Sequence, residues 1–141
     1  MEQKLSTNAI LEKWDSGESV DESHVDFIDH NEMLNALYED IISSGFSVNS
    51  FANKCLIYPS HLHDFLNGKK KLGRDNLIIV CILLNYDIPK TQRTLQGILQ
   101  SSLYARNARD FQIMDGIRQK KSPEEINRIL IEKSLEPLFK Q

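Results

Sequence analysis

The run SFANKCLIYPSHLHDFLNGKKK, Ser50 to Lys71, gathers side chains with chemical capacity. Tyr58, Ser60, His61, His63, Asp64 and Asn67 can donate or accept hydrogen bonds, and Lys69, Lys70, Lys71 and Arg74 follow as a cluster of cations. Two imidazoles raise the question of metal binding or general base chemistry. His61 and His63 are two positions apart, however, and on a helix they diverge, and with Cys55 they reproduce no zinc-ligand spacing. The chain carries no G-x-S-x-G, no glycine-rich phosphate loop and no H-E-x-x-H. We therefore expect no catalytic centre, no metal and no cofactor. Cys55 and Cys81 lie in apolar helical patterns and form no C-x-x-C pair, which suits buried thiols in a reducing compartment. What remains is recognition: hydrogen bonding from the polar run and attraction of anions to the lysines. His24 and His30 fall among acids, where exposure or carboxylate pairing is expected.

The charge distribution supports that reading. Net charge is −3 over 141 residues, but residues 1–46 carry −9, residues 47–121 carry +7 and the last twenty carry −1. A basic middle behind an acidic head suits a nucleic-acid-binding module joined to an interaction segment. The length fits one domain with a real core. The longest apolar run, Leu77 to Leu84, is far below the roughly 20 residues of a bilayer span, and the acidic start lacks the order of a signal peptide. A cytoplasmic chain without membrane contact is expected.

The elements that must position these residues read as helical almost throughout, because glycine and proline fall mostly at boundaries and no segment alternates with period two. Thr7–Trp14 places Ile10, Leu11 and Trp14 on one face, ending near Gly17, and Ser19 opens a second candidate with Val20, Phe27 and Ile28. Met33 to Ser43 repeats Met33, Leu34, Leu37, Tyr38, Ile41 and Ile42, with Gly45 placed to end it. Ser47 caps 48–55, whose Phe51, Ala52 and Cys55 share a side, and a short helix from Pro59 buries Leu62, Phe65 and Leu66. Asp75 to Leu84 is apolar on most sides and predicts a central strut that Asn85 terminates. Helices follow from Asp87–Pro89 through Leu99, over 108–119, and over 123–134, where Ser122 and Glu125 form a capping box and Pro137 marks the end. The organisation expected is an acidic segment 1–32, a core 33–88 and a helical extension 89–141 packed on it as one unit.

The succession of a helix, Ser47, Phe51-Ala52, a turn, Leu62, Phe65, Asn67-Gly68-Lys69, then Leu77, Cys81 and Leu84 resembles the Xre or lambda-repressor-like helix-turn-helix family, over Met33 to Tyr86. STNAILEKW and the segment from TQRTLQGILQ to EPLF are similar to bacterial Xre-like regulators with a short acidic head and a helical C-terminal extension. The resemblance implies an all-α, lambda-repressor-like bundle with additional C-terminal helices and a transcriptional regulator of duplex DNA. Its reading helix would be 59–66, with Ser47, Tyr58, Ser60, His61, His63 and Asn67 near bases or phosphates. Lys69, Lys70, Lys71 and Arg74 would meet the backbone, and Arg106, Arg109 and Arg118 would extend the basic face. Half-sites about 34 Å apart would call for a homodimer, for which 108–134 is the candidate surface.

Three positions depart from the family pattern: Val48 where Gln is usual, Leu56 where Gly is usual, and Asp64, which repels phosphate. They motivate an alternative, a protein-binding adaptor or antagonist on a degenerate helix-turn-helix, with the acidic head as its partner-binding part.

Overall fold

The computed structural model describes residues 5–25, 27 and 29–140. Among them are eight α-helices and no strand. None of these helices is long and apolar enough to cross a membrane.

The acidic head is only partly helical. α1 (Thr7–Asp15) starts where the Ser6 side chain accepts from the Ala9 N–H, and it buries no residue. The helix expected from Ser19 does not form. Asp21 caps a single 3-10 turn, Glu22–His24, and Leu5 makes an isolated parallel bridge with Val25. Ile28, part of that expectation, lies outside the described residues, and Phe27 is exposed. Asp and Ser favour local caps over helix interiors, and the apolar residues of this stretch are too sparse to offset that preference.

α2 (His30–Ser43) begins three residues earlier than its apolar repeat suggests, because Asp29 accepts from the Glu32 N–H. It turns Leu34, Leu37 and Ile41 into the core and gives way to Gly45 at φ +93°. α3 (Val48–Cys55) opens with a reciprocal cap between Ser47 and Ser50, and its C-cap Leu56 holds a left-handed conformation at φ 60°, ψ 36°. Leu56 thus keeps the backbone usual for glycine, at about 1–2 kcal/mol of strain. α4 (Pro59–Leu66) follows with Pro59 in its first turn and Leu62 and Phe65 buried.

α5 (Arg74–Leu83) buries six consecutive residues, Leu77 to Ile82, and packs against α3. It also meets α6 (Ile88–Leu99) and α8 (Pro123–Glu132), so it is the strut the sequence predicts. Leu77 is fully buried, and Leu77→Ala would remove about 2–5 kcal/mol through lost transfer energy and the cavity left behind. Asn85 in the left-handed region ends the strut as expected.

α7 (Ala108–Arg118) packs on α6 and α8. Gly116 permits the approach to α8: a Cβ there would lie 2.5 Å from an Ile126 side-chain carbon. The Ser122–Glu125 capping box forms, and α8 ends at Glu132, two residues before the expected end. Two buried or half-buried side chains tie down the irregular stretches. Gln92 accepts from Leu103 N–H at 2.6 Å and donates to its carbonyl at 2.8 Å. Asn127 accepts from Leu138 N–H at 2.7 Å and donates to Phe139 C=O at 3.1 Å. One hydrophobic cluster runs from Leu34 in α2 to Leu138 in the tail.

Candidate nucleic-acid interface

α3 and α4 are joined by Leu56, Ile57 and Tyr58, with Ile57 buried beneath the connection. Because Leu62 and Phe65 point inward, the residues at i, i+3 and i+7 on the other side, Ser60, His63 and Asn67, form an exposed stripe. Tyr58 stands at the head of the stripe, 83% exposed, and supplies no side-chain cap to α4.

The histidines have defined work. His61 Nε2 donates to the Lys71 carbonyl at 2.9 Å, which pins the far end of the lysine loop back onto α4. His63 Nε2 donates to Asn49 Oδ1 at 2.9 Å and ties α4 to α3. The Lys71 carbonyl can only accept, so the His61 ring meets it through a protonated Nε2. No group of three potential metal ligands occurs among the described residues.

Gly68, at φ +77°, ends α4 and turns the chain so that the Lys69 and Lys70 N–H groups reach the Asp64 carbonyl at 2.8 and 3.3 Å. The loop is therefore ordered by its own backbone, while the ammonium groups of Lys69, Lys70 and Lys71 remain exposed. Lys70 approaches Asp64 at 3.6 Å with its side chain 65% exposed, a pair worth under about 1 kcal/mol. Lys69 and Lys71 have no carboxylate partner among the described residues.

Arg74 is not part of that rim. Its guanidinium turns toward α7 and meets Asp110 in a fork, Nη1 to Oδ1 at 3.1 Å and Nη2 to Oδ2 at 2.8 Å. Its Nε donates to Ser101 Oγ at 2.9 Å, and Nη2 to the Ser102 carbonyl at 3.0 Å. Arg109, expected on the basic face, makes the reciprocal fork to Asp75 at 2.9 and 3.0 Å and also donates to the Glu136 and Pro137 carbonyls. Two Arg-Asp dipeptides thus cross-pair into a clasp joining the start of α5 to the start of α7. Burial pushes the Asp110 carboxyl up, but the Arg74 hydrogen bond, the Tyr104 N–H and the charges of Arg74 and Arg109 outweigh it and leave the carboxyl below its ordinary value. Arg118 likewise binds Asp115, at 2.7 Å, whereas Arg106 is exposed. The sequence signal for the clasp was the repeated Arg-Asp dipeptide, which the charge count absorbed into the basic middle.

Ser47 is exposed, but its hydroxyl is engaged in the α3 cap with Ser50. Val48 faces the core at 7% exposure, so the departure from Gln occurs at a buried position. Both cysteines are buried, and burial pushes each thiol up to about 12. Elsewhere, the Tyr86 hydroxyl donates to Asp40 of α2, and Lys90 lies 4.3 Å from the Tyr86 ring centroid and 3.3 Å from Asp40. These contacts join α2 to α6 far along the chain from the stripe.

Compared with protein-family models, curated proteins and solved structures, the chain matches none.

Proposed function

We propose that this chain is a cytoplasmic DNA-binding regulator with a lambda-repressor-like helix-turn-helix, reading duplex DNA with α4. The observation carrying this reading is the open stripe of α4, headed by Tyr58 and followed by a backbone-ordered loop with exposed lysines. In this reading Tyr58, Ser60, His63 and Asn67 face the major groove, and the lysines neutralise phosphates beyond the reading helix. Occupying an operator would then block or recruit polymerase.

With Arg74 withdrawn into the clasp, three lysines remain for phosphate contact. A slope of log K against log salt of about −2.7 follows, or roughly fortyfold weaker binding between about 50 and 200 mM salt. The test is binding of the purified protein to the duplex upstream of its own gene and to a scrambled duplex at both salts. Preferential binding, lost in Lys69→Glu/Lys71→Glu, supports the regulator, and equal or no binding overturns it. A homodimer suited to paired half-sites would use the outer side of α7 and α8, where Phe111 and Ile131 stay exposed.

One observation favours the protein-binding alternative. α1 leaves Leu11 and Trp14 exposed at 49% and 58% in an acidic segment, the composition of a surface for a basic partner. Under that reading, Leu11→Ser/Trp14→Ser abolishes partner capture without changing DNA affinity.

A further inference from the structure

The chemistry of the exposed stripe limits which base pairs it can read. Guanine is recognised in the major groove through O6 and N7, two acceptors best met by arginine or lysine, and cytosine through its N4 amino group, best met by a carboxylate. α4 carries no arginine or lysine. The nearest cations, Lys69 to Lys71, lie beyond Gly68 in a loop whose course is fixed by the Asp64 carbonyl and by His61. Arg74 is held by Asp110 and by the Ser101 and Ser102 oxygens. Asp64, the carboxylate of α4, is half-buried beside Lys70. Neither strong G·C contact is therefore on offer.

Of the groups that face the groove, the His63 ring already engages its Nε2 with Asn49 Oδ1, and the others are neutral. The Tyr58 ring is exposed and apolar on its faces, the Ser60 hydroxyl can serve either as donor or acceptor, and Asn67 presents a free amide. An aromatic or other apolar surface suits the thymine C5 methyl, and an amide suits adenine N6 and N7 together. Resting on the DNA-binding reading, we infer that the interface selects A·T pairs, with a thymine methyl seated against the Tyr58 ring and adenine available to Asn67. Tyr58 is then the specificity-determining residue. Its exposure means that its replacement leaves the core intact.

The test uses three synthetic duplexes of equal length, alternating d(AT), alternating d(AU), which lacks only the methyl groups, and alternating d(GC), with the full chain and its Tyr58→Ala and Tyr58→Phe variants. Circular dichroism confirms that the variants fold. The full chain binds d(AT) more tightly than d(GC), and removing the methyls weakens binding about fourfold for each methyl that is buried. Tyr58→Ala binds d(AT) and d(AU) equally, while Tyr58→Phe keeps the difference. Tight binding that is the same for d(AT) and d(AU), or a preference for d(GC), overturns the inference and leaves the DNA-binding reading standing. Failure to bind any of the three duplexes overturns both.

Discussion

The clasp between α5 and α7 makes a quantitative prediction. Arg74 is 27% exposed and Asp110 is 9% exposed at the side chain, and the guanidinium also donates to two neighbouring serines. Arg74→Met leaves the Asp110 carboxylate nearly buried with the Tyr104 N–H as its hydrogen bond and the more distant charge of Arg109 as its remaining support. Breaking one side of a buried pair removes about 3–5 kcal/mol, and the partial exposure of Arg74 reduces this to about 2–3 kcal/mol. For a chain of this length, Tm should fall by about 6–15 °C. A double-mutant cycle with Arg74→Met, Asp110→Asn and both together should give a coupling of about 1.5–2 kcal/mol by denaturant unfolding. The exposed Arg118–Asp115 pair, its arginine 65% exposed, serves as the control, with coupling below about 0.5 kcal/mol. The same fork predicts a pH effect. The folded Asp110 pKa lies below the ordinary 3.8, so its contribution is fully present above that value and disappears as pH falls through the folded pKa. Arg74→Met removes this acid-sensitive component. A coupling for Arg74–Asp110 no larger than that of the control would refute the assignment of Arg74 to the fold.

The remaining predictions concern the backbone, the packing and the thiols. Leu56→Gly relieves the left-handed strain at a side chain that is 65% exposed, and chemical denaturation should show a gain of about 0.5–1 kcal/mol; a loss would mean that Leu56 packs usefully. Gly116→Ala forces a Cβ against Ile126, and despite the better helix propensity of alanine it should lower stability by about 1–2 kcal/mol, while Gly116→Ala/Ile126→Val should recover part of it. Cys55 and Cys81, with thiols pushed up to about 12, should react with a thiol reagent at pH 8 only as fast as the protein opens, so stabilising the fold slows labelling and fast labelling of the native protein disproves their burial.

The helices that could be read from the sequence were those whose ends carry their own chemistry. Ser47, Ser122 with Glu125, and Gly45 act on backbone groups within a few residues, and the apolar run from Leu77 to Ile82 requires burial whatever surrounds it. Residues 19–28 misled because their scattered apolar side chains fit a helix only if something covers them, whereas Asp21 satisfies its turn locally. Within the candidate site, the order from Tyr58 to Lys71 fixed which side chains lie near one another, since α4 and the loop are continuous in sequence. Arg74 and Arg109 were not legible: their carboxylate partners are brought to them by the docking of α7, a tertiary event that charge counting treats as free cations. That Val48 faces the core was not legible either, because the first position of a short helix can turn inward or outward according to the turn that precedes it.

The crossed order of the clasp also bears on how the loop between α6 and α7 tolerates change. Surface loops ordinarily accept an added or deleted residue at little thermodynamic loss. Here Arg74 pairs with Asp110 and Asp75 with Arg109, so a shift of one residue brings Arg109 toward Arg74, or Asp110 toward Asp75, like charge to like. The two dipeptides therefore act as a register mark. The stretch from Ser101 to Asn107, exposed as much of it is, has a length constrained by the charges at its end as well as by the Gln92 hydrogen bonds that hold Leu103.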